Sequence, residues 1–528
     1  MPANPLLPGT YPDPSICRVG DDYYLVTSTF EYFPGLPVFH SRDLVHWRQL
    51  GHAIDRADQL DLSHVPSSGG LYAPTLRHHD GVFYLVNTLV HAGEGVQGGN
   101  FLLTATDPAG PWSDPVWFAG SDDIDPSLFF DDDGRVWFTA TRPAREPAWP
   151  GQTDVWLREL DLSAGRLVGP ERVLWHGALV GAVWAEGPHL YKVEGRYYLL
   201  AAEGGTEQDH AVSVARADAV TGPYTGNPAN PVLTHRNLGR DVPIVGTGHA
   251  DLVRLPDGSW WAVLLAMRPY GGYHYNLGRE TFGVAVAWAD GWPVFAPGEG
   301  RVRETITGPA LEPCPWPEPE ARDEFDQPAL DLRWNAVRGP AASFATPGAD
   351  GGGLRLELRP QTLADGGTPA FLGRRQQHRD ADVAALLTFE PASADEWAGL
   401  AMRLSDAAHY LLVVAGAPDG GLRRVLAVRQ HDGVQEVLAE APIGPGPVRL
   451  ALGIRGQDYA LGYAAGESAP RELATVDGRV LDPADAGAFV GVWLGLYATS
   501  NGRPTRSAAS VHWFEYTPVG DNLPGHHI

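Results

Sequence analysis

Five times in the first three hundred residues, a short apolar run ends in an acidic or glycine turn and restarts as an aromatic-rich run. The copies open at Asp13-Pro14, Ala73-Pro74, Asp125-Pro126, Glu186-Gly187-Pro188 and His249-Ala250. Their turns and aromatics follow at Asp21-Asp22-Tyr23-Tyr24, Asp80-Gly81-Val82-Phe83-Tyr84, Asp133-Gly134-Arg135-Val136-Trp137, Glu194-Gly195-Arg196-Tyr197-Tyr198 and Asp257-Gly258-Ser259-Trp260-Trp261. Short runs of Val, Tyr, Phe, Trp and Thr bounded by Gly, Pro, Asp and Asn predict strands, and no long helical periodicity competes with them. A repeat of roughly sixty residues is long enough for one small sheet per copy. If the sheets are blades around one axis, their opening positions converge although the chain separates them widely.

The repeat stops where proline takes over. Residues 308–320 read Gly-Pro-Ala-Leu-Glu-Pro-Cys-Pro-Trp-Pro-Glu-Pro-Glu, a stiff and extended stretch. It divides the chain into a repeat domain, 1–307, and a second domain, 321–528. In the second, Leu354-Arg355-Leu356-Glu357-Leu358 and Val448-Arg449-Leu450-Ala451-Leu452 alternate apolar and polar positions. That period of two, one wet face and one buried, predicts a β-sandwich of jelly-roll-like type. Gly351-Gly352-Gly353 is a turn, since no helix and no Lys-Ser/Thr follows it as a phosphate loop would need.

Composition narrows the partners. A chain of 528 residues with 44% hydrophobic content supports two large all-β cores. Its formal charge of −25 disfavours nucleic acid, whose phosphates need Lys and Arg to displace counterions. A neutral or cationic ligand fits better. Only Cys17 and Cys314 occur, too few for a disulfide framework, and two free, buried thiols are expected. The first residues lack the basic and apolar regions of a secretion signal, and no apolar stretch spans a bilayer. The expectation is a cytoplasmic protein with no membrane partner, acting on an imported small molecule.

Three of the five opening positions are carboxylates: Asp13, Asp125 and Glu186. Cleaving a glycosidic bond needs one carboxylic acid to protonate the leaving oxygen and one carboxylate to activate water or attack carbon. A further nearby negative charge raises the acid's pKa and keeps it protonated near neutrality. One rule of blade register would bring the whole set together. Asp-Pro is also a common turn device, so the inference rests on the three in register rather than on any one.

The segments Tyr11-Pro12-Asp13-Pro14-Ser15, Ile124-Asp125-Pro126-Ser127-Leu128-Phe129 and Ala185-Glu186-Gly187-Pro188-His189 resemble the three active-site motifs of glycoside hydrolase family 43. Ser28-Thr29-Phe30-Glu31-Tyr32-Phe33-Pro34-Gly35, Gly248-His249-Ala250-Asp251 and Leu277-Gly278-Arg279-Glu280-Thr281-Phe282 extend the resemblance over nearly the whole first domain, in order. The branch it is most similar to comprises β-xylosidases and α-L-arabinofuranosidases with a C-terminal sandwich. The resemblance implies an all-β fold, a five-bladed β-propeller followed by the sandwich, and an inverting single displacement. It implies Asp13 as general base, Glu186 as general acid, and Asp125 as the residue that raises and orients the acid. It also places His249 beneath the site near a central water or calcium ion. No cofactor is needed for the chemistry; calcium is a candidate structural ion.

Around the carboxylates, Phe30 and Tyr72 would offer apolar faces to a pentose ring, with core packing as the alternative and Tyr72 replacing the Trp frequent in related enzymes. Arg279 would present a fixed fork to sugar hydroxyls, unless it pairs with Glu280 or another acid. Phe489, in the sandwich, would close the pocket; ordinary strand packing is its alternative. Glu203 and Glu207 follow a fourth-blade strand, where loops border such a pocket, although surface placement is the default. His78-His79-Asp80 reads as a solvated turn, because adjacent strand side chains face opposite ways. The function expected is exo-acting release of terminal β-D-xylose, α-L-arabinofuranose or both from short oligosaccharides, by a chain able to form a homo-oligomer through its sandwich. An endo-arabinanase and a non-catalytic carbohydrate-binding propeller are the alternatives.

Overall fold

The computed structural model describes residues 3–520 apart from 122, 179, 180, 307, 349–351, 419 and 467, and in it the five copies form five antiparallel sheets. Each sheet has an inner strand: Ser15–Val19, Thr75–His79, Ile124–Phe130, Glu186–Val193 and Val245–Arg254. Successive inner strands touch, and the fifth touches the first, so the sheets close into a five-bladed propeller. The acidic-Gly pairs reverse the chain as the sequence predicts. Asp80 and Gly81 stand at φ 48° and 80°, Glu194 and Gly195 at 50° and 80°, which matches the twist of tight antiparallel hairpins.

Apolar side chains fill the wedges between blades. Val26 and Leu36 of the first blade meet Leu76 and Leu85 of the second. Leu200 and Val212 of the fourth meet Leu252 and Leu264 of the fifth. Leu25 and Phe39 close the circle against Val253 and Trp261. The segment before Asp13 lies along the fifth blade, where the Leu6 and Leu7 N–H groups donate to the Thr281 carbonyl.

Polar groups lock the axis beneath the blade openings. Asp251 is fully buried; its carboxylate accepts from Ser15 Oγ at 2.7 Å, Tyr191 Oη at 2.6 Å and both terminal nitrogens of Arg77 at 2.8 and 3.2 Å. Arg77 Nη2 donates to His189 Nδ1 at 3.0 Å, and Ser127 Oγ lies 3.1 Å from the same nitrogen. Residues of all five blades therefore share one hydrogen-bonded network.

The second domain is a sandwich of two eight-stranded sheets. One of these sheets takes its edge strand, Tyr32–Phe33, from the first blade, pairing with Asn335–Val337. The proline-rich stretch runs along the first blade: Cys314 N–H donates to Asp43 at 2.7 Å, and Arg48 stacks 3.9 Å above the Trp316 ring. Both cysteines are free, but only Cys17 is buried; Cys314 is half-buried because the stretch carrying it lies on the surface. The domain bounds and the glycine turn read from the sequence touch residues outside those described: 1, 2 and 307 at the ends of the first domain, 521–528 at the end of the second, and Gly351 in the turn.

Candidate active site

The blade openings carry an unusual backbone. Asp13, Asp125 and His249 have φ of 56°, 54° and 51°, a conformation L-residues rarely adopt and that concentrates at functional sites. The fourth blade puts Gly187, φ 56°, in that conformation, and Glu186 stands one residue earlier. Strand pairing agrees: Glu186 and Ile124 each occupy the last paired position before a bulge, with His189 and Ser127 resuming after it. The expectation that all three carboxylates hold equivalent blade positions is thus corrected for Glu186. The physical reason is a steric one. A Cβ at Gly187 would lie 2.9 Å from His249 Nε2, so no acid fits in register, and the carboxylate sits one step along the chain.

All three carboxylates nonetheless line one cavity of about 630 Å³, together with Phe30, Tyr72, His249, Arg279 and Phe489. The cavity thus gathers the three carboxylates, the three aromatics, His249 and Arg279 named from the sequence. Asp13 is held on both oxygens: Arg279 Nη1 donates to Oδ1 at 3.0 Å and Ser28 Oγ to Oδ2 at 2.5 Å, with His249 Nδ1 3.7 Å from Oδ1. Burial alone would raise its pKa, but Arg279, His249 and the Ser28 hydroxyl outweigh burial and hold it below its usual value. Asp125 accepts the Gly187 N–H at 3.0 Å; burial and the Asp13 charge push its pKa up. Glu186 is pushed well above its ordinary value by desolvation first, then by Asp125 and Asp13. Three carboxyls in one cavity therefore titrate apart, in opposite directions.

Arg279 does not pair with Glu280, whose carboxylate accepts two bonds from Arg268 at 2.6 and 2.7 Å. It bonds Asp13, Thr206 Oγ1 at 3.1 Å, and the Phe489 carbonyl from Nε and Nη2 at 3.3 and 3.2 Å. These four contacts use four of a guanidinium's five N–H groups, so about one is free for a ligand. Phe489 crosses from the sandwich to complete an aromatic wall. Its ring stacks on Phe30 at 6.0 Å and meets Tyr72 edge-on at 5.9 Å. Its N–H is held by Ser68 Oγ at 3.0 Å.

Glu207 is exposed and lines the cavity, whereas Glu203 does neither. Glu203 is 1% exposed and accepts from Ser213 Oγ and the Ala178 N–H, so both its readings, pocket and surface, give way to a loop tie. His79 packs on Phe130 and His78 on Phe83 beside the Asp80 turn, as adjacent strand positions should. Beside His249, Asp13 offers its carboxylate, with Oδ1 3.7 Å from Nδ1. Calcium takes six to eight oxygens, and the oxygens of Asp13 are already engaged. Among the described residues the one cluster with metal-ligand spacing, His274, Asp482 and Asp485, lies outside this cavity.

Sequence reasoning missed Ser28, Thr206 and His210. Ser28 opens the Ser28–Gly35 segment, only fifteen positions from Asp13, and that short separation is the signal for it. His210 lies flat against the Gly248 backbone, where a Cβ would meet its ring at 2.5 Å. Burial lowers its pKa to about 3, so a neutral imidazole backs His249.

Residues 2–293 match the family described as Glycosyl hydrolases family 43, and residues 322–517 match the Beta xylosidase C-terminal Concanavalin A-like domain. A xylosidase/arabinosidase of Butyrivibrio fibrisolvens is 41% identical over 98% of this chain and 99% of its own. A non-reducing end alpha-L-arabinofuranosidase of Bacteroides ovatus is also 41% identical, over 97% of this chain and 94% of its own. Among solved structures, a xylan beta-1,4-xylosidase from Bacillus halodurans superimposes with a TM-score of 0.91 at 34% identity, covering 98% of this chain and all of that one.

Proposed function

The chain belongs to glycosyl hydrolases family 43, and from that premise we propose that it is an exo-acting glycosidase releasing terminal β-D-xylose, α-L-arabinofuranose or both from oligosaccharides by inversion. The divergent protonation of the three carboxyls carries the reading. Glu186, kept protonated, gives its proton to the glycosidic oxygen as the bond from that oxygen to the anomeric carbon breaks. Asp13, kept ionised by Arg279, His249 and Ser28, takes a proton from the water whose oxygen attacks that carbon from the opposite face. Asp125 supplies the like charge that holds the proton on Glu186, and its bond to the Gly187 N–H fixes the acid's backbone. Phe30, Tyr72 and Phe489 give the pentose an apolar wall, and their closure across the two domains favours a blind pocket over the open groove of an endo-acting enzyme.

The single most informative experiment pairs Asp13→Asn and Glu186→Gln with the unmodified protein on aryl β-xyloside and α-L-arabinofuranoside. Both variants should lose about 10²- to 10⁴-fold in kcat/KM, the range for a positioned acid or base. Undiminished turnover in both would sink the assignment of roles. Proton NMR of the first-formed sugar should show the inverted anomer. No turnover by the unmodified protein on any pentoside would favour a carbohydrate-binding propeller, and the ratio of the two aryl rates names the preferred pentose.

A further inference from the structure

Trp184 is out of place for a large apolar residue. It is 52% exposed, its φ is 49°, and it lines the same cavity as the carboxylates. A bulky residue pays strain to hold that backbone, and such strain persists only where the surroundings over-determine it. Here they do. The Trp184 N–H donates to the Gly151 carbonyl at 2.8 Å, and the Gly204 N–H donates to the Val183 carbonyl at 2.9 Å. Trp149 Nε1 anchors the preceding turn through the Ala182 carbonyl at 2.7 Å. The indole rests on the Gly204-Gly205 turn, where a Cβ at Gly205 would lie 2.7 Å from Cε3. Side-chain bulk has been removed beneath the ring, so the ring is backed on one side and still lines the cavity.

We propose that Trp184 is the stacking platform for the leaving sugar, a neutral second ring bound on the outer side of the scissile bond. The inference rests on the glycosidase reading above and adds a subsite to it. Glu186 protonates the leaving oxygen, so the departing ring must lie beside Glu186, and Trp184 is two residues before it on the same chain. The aromatic wall of Phe30, Tyr72 and Phe489 gathers around Arg279, whose guanidinium bonds Asp13. Trp184, Glu207, Asp209 and Arg240 are instead the exposed residues of the cavity lining, which puts them at its lip. A sugar's C–H face suits an indole, and polar groups at the lip suit its hydroxyls. Thr206 joins the two halves, because the loop that backs Trp184 also bonds Arg279.

The test compares a disaccharide bearing the preferred pentose with the methyl glycoside of that pentose. Both leave as alkoxides that need the proton of Glu186; only the disaccharide puts a ring against Trp184. For Trp184→Ala we expect kcat/KM on the disaccharide to fall about tenfold, the worth of one aromatic contact. The methyl glycoside should change less than about twofold, and Trp184→Phe should recover most of the loss. The alkaline limb of the rate profile should stay where it is, showing that the acid has not moved. Equal losses on both substrates, a displaced alkaline limb, or an unaltered disaccharide rate would each overturn the platform. An unmodified protein inactive on both substrates would overturn the glycosidase reading itself.

Discussion

Gly187 shows how one atom decides where the chemistry sits. Had the fourth blade repeated Asp13 and Asp125 in register, its side chain would have collided with His249; the glycine lets the imidazole in, and the acid moves to position 186. From there Glu186 feels desolvation first and then the charges of Asp125 and Asp13, which together raise its pKa. Removing one of those charges has a definite sign. Asp125→Asn should lower the pKa of Glu186, so the alkaline limb of kcat/KM against pH should move to lower pH. The acid limb, set by Asp13, should move little, because Arg279, His249 and the Ser28 hydroxyl, which hold Asp13 down, are all retained. An alkaline limb that stays in place or rises would show that Asp125 does not hold the proton on Glu186.

The inner strands owe their convergence to the group beneath them. Asp251 sits on the fifth blade and accepts from the first, second and fourth, and its pKa is depressed: burial opposes ionisation, but Arg77, His189 and the hydrogen bonds from Arg77 and Tyr191 prevail. Its contribution to stability is therefore present above its ordinary value of 3.8 and is lost as pH falls toward the depressed folded value. Truncating it strands the Arg77 guanidinium. Asp251→Ala should cost about 3–5 kcal/mol, the penalty for leaving a buried charge unpaired, read as a shift of the denaturant midpoint. A loss below about 1 kcal/mol, the value of a surface pair, would mean that water replaces the carboxylate. Because the same network underlies all the blade openings, kcat/KM should fall along with stability.

At the scale of the molecule, the two domains share their polar core as well as their sheet. Arg403 and Glu31 are both fully buried and pair at 3.1 Å across the junction; Arg403 also bonds Tyr32 Oη and Asp406. Glu31 Oε2 in turn accepts the Ser68 N–H, and Ser68 Oγ holds Phe489 over the site. We expect one cooperative calorimetric transition for the whole chain. Arg403→Leu, which leaves Glu31 buried and unpaired, should lower stability by about 3–5 kcal/mol and raise KM through Phe489. Two separate transitions would show that the sandwich is an independent appendage. The repeat, the strand pattern, the sandwich and the identity of the three acids were legible in the linear chain, because alternation and turn chemistry are written in neighbouring residues and five copies imply one axis. The one-residue displacement of Glu186 was not, since it follows from a clash with His249, sixty-two positions from Gly187 and visible only once the blades close. Nor were the contacts of Arg279 with Asp13 and Phe489, 266 and 210 residues away, or the seat of Trp184 on Gly205. The sequence by itself determined which groups are available and that they converge. Only the tertiary structure decided which acid stays protonated and what faces the ligand, because desolvation, charge proximity and steric exclusion are properties of distance in space rather than of order along the chain.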